Sequence, residues 1–171
     1  MKKGILTLVL TLACIIGVFA GETYAKDGML IAPGDKALTV GLNFPLGINA
    51  GYEMAFGKFN ISDFRFTYGA KGLGSVVFLS GGMAYTVGAV GTLHFSWSCI
   101  DLPENLWWIQ NIDTFFGLGI GYTGVTVEGL GNYGGIGIIT HGGSSYFFKE
   151  NLAVTLAGGL GGSYIGVLLK M

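Results

Sequence analysis

The sequence predicts an all-β fold: an eight-stranded antiparallel up-and-down transmembrane β-barrel, preceded by an export signal. Three observations point there. Hydrophobic residues make up 51% of the chain and charged residues only 11%, with a mean hydropathy of +0.61, so a surface facing water would have to be built almost without charge. Alternation at period two recurs along the chain, and that is the signature of strands. After Ala25 no run stays apolar for the roughly 18 residues that a spanning helix needs.

The same figures exclude other classes. A net charge of −1 without any Lys/Arg cluster argues against a nucleic-acid partner. Disordered binding arms need many more charges than this chain carries. A collagen-like chain is ruled out by 3 Pro and by 32 Gly that keep no triplet period.

Residues 1–25 read as a signal peptide and residues 26–171 as one barrel domain. Met1-Lys2-Lys3 is a short positive start, and Gly4 to Ala20 is apolar almost throughout. Val18-Phe19-Ala20 and Thr23-Tyr24-Ala25 both offer the small residues a signal peptidase requires. The second is preferred, which starts the mature chain at Lys26. Cys14 leaves with the signal, so Cys99 stays single and no intramolecular disulfide is available. Stability must come from elsewhere, and lipid can supply it.

Eight stretches alternate, at about 37–44, 47–57, 63–78, 83–97, 112–127, 134–148, 151–160 and 163–171. In the fourth, Met83, Tyr85, Val87, Leu93, Phe95 and Trp97 share one face, while Thr86, Gly88, Thr92, His94 and Ser96 share the other. Aromatic residues at both limits of an apolar face suit a membrane barrel with an aromatic girdle at each interface. In the fifth, Phe116, Leu118, Ile120 and Tyr122 oppose Asp113, Gly117, Gly119 and Gly121. An even count puts both termini at one end. The turns at that end would be Lys58 to Ser62, Ser98 to Asn111 and Lys149-Glu150. Short connections near Pro45, Ser80-Gly81-Gly82, Glu128 to Asn132 and Gly161-Gly162 would close the other.

In this pattern the chain resembles the small eight-stranded bacterial outer-membrane barrels, over essentially all of Lys26 to Met171. The closing stretch Tyr164-Ile165-Gly166-Val167-Leu168-Leu169-Lys170-Met171 is similar to the assembly signal that ends those proteins, except that Met171 stands where an aromatic residue is usual. The resemblance implies residence in the bacterial outer membrane, contact with its lipid and passage through the barrel-assembly machinery. It does not imply one activity, because such barrels include passive pores, structural proteins, adhesion factors and lipid-modifying enzymes.

Glu53, Arg65, Lys71, His94, Asp113 and Lys170 fall on the predicted lumen face as a polar cluster. Centring the turn between the second and third strands near Asn60 sets Glu53 opposite Thr67 and diagonal to Arg65. Asp113 falls diagonal to His94 in the same way. Two readings stay open: a salt-bridged plug, since eight strands leave little bore, or a selectivity filter in a narrow pore. Inward glycines such as Gly41, Gly51, Gly88 and Gly121 would leave room for water or small solutes. Trp97, Trp107 and Trp108 are expected as interfacial anchors.

Other motifs carry less. Gly119-Ile120-Gly121-Tyr122-Thr123-Gly124 matches GxGxxG, yet the helix that chemistry needs is replaced by a strand end. His94, His141, Ser96, Ser144 and Ser145 are the only hydrolase kit, and no spacing among them specifies a base–nucleophile pair. One remaining Cys and two His on different strands offer no metal site. The expected function is therefore a small outer-membrane barrel, structural or narrow and porin-like, non-catalytic and without a cofactor. Two alternatives stand beside it. One is an outer-membrane enzyme acting on lipid or lipopolysaccharide. The other is a soluble lipocalin-like barrel that turns the apolar face inward.

Overall fold

A computed structural model describes residues 23–160 and 162–171. Most of the expected signal peptide therefore lies outside the described residues, as does Gly161. Eight strands form in order: β1 (Lys36–Asn43), β2 (Gly47–Ile61), β3 (Phe64–Leu79), β4 (Gly82–Ser96), β5 (Ile112–Val127), β6 (Gly131–Lys149), β7 (Leu152–Gly158) and β8 (Tyr164–Lys170). Each pairs antiparallel with its chain neighbour, and β1 pairs with β8 to close the barrel. The architecture is the eight-stranded antiparallel up-and-down barrel that the alternation predicts.

The two faces sort as the chemistry demands. Ile120 is 67% exposed and Leu118 55%, whereas Glu53, Lys71 and His94 are each 2–3% exposed. That is the inverse of a soluble barrel, in which the apolar face would be the interior. Aromatic side chains gather at both ends of the outer face. Phe59, Phe64, Phe66, Phe95 and Trp97 stack or tilt against one another at the end carrying the termini, with centroids 5.4–5.9 Å apart. Tyr85 and Tyr122 stack at 6.0 Å near the far end. No helix among the described residues is long and apolar enough to cross a membrane.

Strand lengths are unequal. β2 to β6 run 15 to 19 residues, while β1, β7 and β8 run 7 or 8. The ladder between β6 and β7 begins only at Gly142 and Gly158, so the β5–β6 hairpin rises beyond its neighbours on that side. The β4–β5 connection is built of two 3₁₀ segments, Trp97–Cys99 and Glu104–Asn111, on the span the sequence marks as the one long turn.

Between β2 and β3 the expected register is corrected. The turn falls at Ser62-Asp63, with Ser62 in the left-handed region at φ 53°. A bulge between Ala55 and Gly57 then shifts the ladder again. Glu53 consequently faces Lys71 directly, and Thr67 faces Lys58.

Candidate functional site

The lumen is built in layers, because inward positions of neighbouring strands meet at fixed register. At its centre lies a connected polar chain. His94, from β4, has Nδ1 2.6 Å from Asp113 Oδ2 and Nε2 2.6 Å from Glu53 Oε1. Carboxylates only accept, so both ring nitrogens donate and the ring is an imidazolium. Glu53 Oε2 lies 4.0 Å from Lys71 Nζ. Lys71 Nζ is in turn 3.2 Å from His141 Nε2, which accepts from the ammonium and belongs to a neutral imidazole. Two carboxylates thus meet one imidazolium and one ammonium, and the buried charges cancel. Charges in a low-dielectric interior persist only when paired in this way.

Aromatic rings wall the chain. Phe115 lies 5.7 Å from the His94 ring and 5.3 Å from the His141 ring, and Lys71 Nζ sits 5.4 Å from its centroid. Tyr164, fully buried, stacks on His141 at 5.7 Å. Further from the termini, Leu73, Val90 and Ile139 form an apolar layer across the lumen. Beyond it Asn43 Nδ2 donates to Ser75 Oγ at 2.8 Å.

Several inward glycines are sockets for these side chains, whereas Gly137, towards the far end of β6, has open space beside it. A Cβ on Gly51 would lie 2.7 Å from Lys71 Cε, and one on Gly41 would lie 2.6 Å from the Tyr164 ring. A Cβ on Gly88 would lie 2.6 Å from Ile139 Cδ1. Real Cβ atoms do not approach that closely, so glycine is what lets large residues fill a narrow barrel.

At the end carrying the termini a segment before β1 closes the barrel. Lys26 and Met29 pair around Asp27-Gly28, both at positive φ. Leu30 and Ile31 then enter the mouth, 0% and 2% exposed, and pack with Ala37, Ala55, Phe147, Ala153 and Leu168. The Leu30 N–H donates to Ser96 Oγ at 2.8 Å, and Ser96 donates to Asp113 Oδ1 at 2.8 Å. Lys170 Nζ donates to the Leu30 carbonyl at 2.9 Å and lies 3.7 Å from Asp35. The floor and the ionic layer are therefore one hydrogen-bonded unit.

The structure brings Glu53, Lys71, His94 and Asp113 together, and places Lys170 at the floor. Arg65 is the exception. It is exposed and donates to the Asp27 carbonyl outside the mouth, because the later turn leaves it as the second residue of β3, at the barrel rim. The floor segment was missed by periodicity, since Met29-Leu30-Ile31-Ala32 is too short to alternate. The apolar run closed by Pro33-Gly34 is the only signal for it. His141, which alternation sets on the inner face near mid-strand, joins the cluster, and so does Tyr164, which no motif marks. Trp97 is half-buried and donates to Thr114 Oγ1 at 3.0 Å; Trp107 is half-buried and Trp108 is 42% exposed.

No protein-family model matches the sequence, and no curated protein matches it. Solved structures similar in shape include a de novo designed transmembrane β-barrel, at 13% identity, TM-score 0.44, covering 81% of this chain and 97% of that one. Ail, the attachment invasion locus protein of Yersinia pestis, matches at 12% identity and TM-score 0.44, over 81% and 95% of the two chains. The outer membrane enzyme PagL matches at 13% and 0.43, over 80% and 98%.

Proposed function

We propose that the protein is a structural barrel of the bacterial outer membrane whose interior is closed to solutes. The observation that carries this reading is the filled, electroneutral lumen: an apolar floor, an ion layer with its charges paired, and an apolar layer above it. A filter needs charges that face water and exchange partners with passing ions. Here Glu53 is shared between His94 and Lys71, and Asp113 is shared between His94 and Ser96. The same contacts favour a non-catalytic role. Both nitrogens of His94 are engaged by carboxylates, so neither is available to take a proton from a hydroxyl. The apolar outer face and its two aromatic bands support membrane residence, with the terminal end in the periplasm.

Fractionation tests the location. The protein should be recovered with outer membranes, need detergent for extraction and show heat-modifiable mobility in gels. Recovery from the soluble periplasm without detergent would overturn the reading and restore the lipocalin-like alternative.

A further inference from the structure

Two peptide bonds near the start of the chain satisfy a signal peptidase. Ala20–Gly21 has Val18 and Ala20 at the third and first positions before the cut, and Ala25–Lys26 has Thr23 and Ala25. Small residues at those positions do not separate the two bonds, but native contacts do. Tyr24 and Ala25 pack against the floor cluster of Leu30, Ile31 and Phe147. The Tyr24 N–H donates to Asn111 Oδ1 at 3.2 Å, and Asn111, at the end of the β4–β5 connection, is buried. Thr23, Tyr24, Ala25 and Lys26 also line a cavity with Glu150 of the β6–β7 turn. From there the chain enters the Lys26–Met29 bridge and then the mouth.

A leader is removed from the mature protein, so its residues have no place among native contacts. Tyr24 and Ala25 have such a place, and a cut after Ala25 would strip both from the floor. Order along the chain favours the earlier bond as well. The apolar run ends at Ala20, so Ala20–Gly21 is the first acceptable bond beyond it. A cut there releases the run, and Ala25–Lys26 is left without the apolar segment that directs a peptidase to it. We propose that a signal peptidase hydrolyses the Ala20–Gly21 bond, and that the mature chain keeps Thr23, Tyr24 and Ala25 as part of its floor. One water is consumed: Ala20 leaves with a new carboxylate, and Gly21 gains an α-amine. This sets aside the Ala25–Lys26 bond preferred on sequence alone.

Intact-mass spectrometry of the protein, expressed from Met1 and purified from membranes in detergent, reads the first residue directly. The mass of Gly21 to Met171 is expected. The mass of Lys26 to Met171, or of the uncut chain, would overturn the proposal. Ala20→Gln puts a larger polar residue where the peptidase needs a small one, and should abolish the Gly21 form. Ala25→Gln should leave the cut in place, with the mass changed only by the substitution. Persistence of the Gly21 form in the first variant, or its loss in the second, would contradict the assignment. Both masses are read on total protein and do not depend on folding. A chain lacking Gly21 to Ala25, with Ala20 joined to Lys26, tests the floor itself. It should unfold at a lower urea concentration than the wild type, and an unchanged midpoint would overturn the place of Tyr24 and Ala25 there. The proposal needs export and not the membrane: a chain that starts at Gly21 yet is recovered in the soluble periplasm defeats the membrane reading and leaves this assignment standing.

Discussion

Glu53 has the most to lose by substitution. Its carboxylate accepts from His94 and faces Lys71, and all three side chains are at least nine-tenths buried. Glu53→Ala leaves the His94 imidazolium with Asp113 alone and the Lys71 ammonium without a carboxylate. Removing one partner of a buried pair costs about 3–5 kcal/mol, and a urea titration of the barrel in detergent should read a loss of that order. Arg65→Ala should stay within about 1 kcal/mol, because an exposed side chain on a single backbone carbonyl contributes little. The contrast also isolates what the sequence could and could not say about the site. Residue type and alternation placed Glu53, Lys71, His94 and Asp113 on one face. Which of them touch depended on a bulge and on a turn at Ser62-Asp63, and neither Ser nor Asp there marks a turn more strongly than Asn60 does. Arg65 was drawn into the cluster for that reason.

For the strands, burial on the two faces is the testable quantity. Leu118 is 55% exposed on β5, midway between the two aromatic bands. Leu118→Arg should cost about 2–4 kcal/mol if it lies near the bilayer midplane, measured by folding into vesicles. Tyr133→Arg, near the far rim of β6, should cost about 0–1 kcal/mol. Equal losses at both sites would contradict the placement of the belt. The stretches Gly134 to Phe148 and Ile165 to Met171 alternate less cleanly, and the other six strands were legible because their two faces differ sharply in polarity. The lumen's apolar layer was not. Leu73, Val90 and Ile139 point inward; alternation sets Val90 on the face of Thr86 and His94, but residue type alone does not announce an apolar layer there. The floor segment escaped for the opposite reason: Leu30 and Ile31 are adjacent residues buried together, so they show no period.

Over the described residues the molecule is a closed ring of strands around an interior of paired charges and large side chains, and its composition follows from that. With only 19 side chains of Asp, Glu, Lys and Arg in the chain, several are spent inside on pairing, while glycines open the sockets that Lys71, Tyr164 and Ile139 occupy. The proposed closure rests on two layers, the floor around Leu30 and the layer around Ile139, which lie on either side of the ion cluster. Conductance across planar lipid bilayers is the most direct measurement of this claim. Wild-type protein, inserted and verified as folded by heat-modifiable mobility, should give no stable openings at any salt concentration. Stable, ion-selective channels from the same preparation would contradict it, and would make the Glu53–His94–Asp113 layer a filter and not a plug.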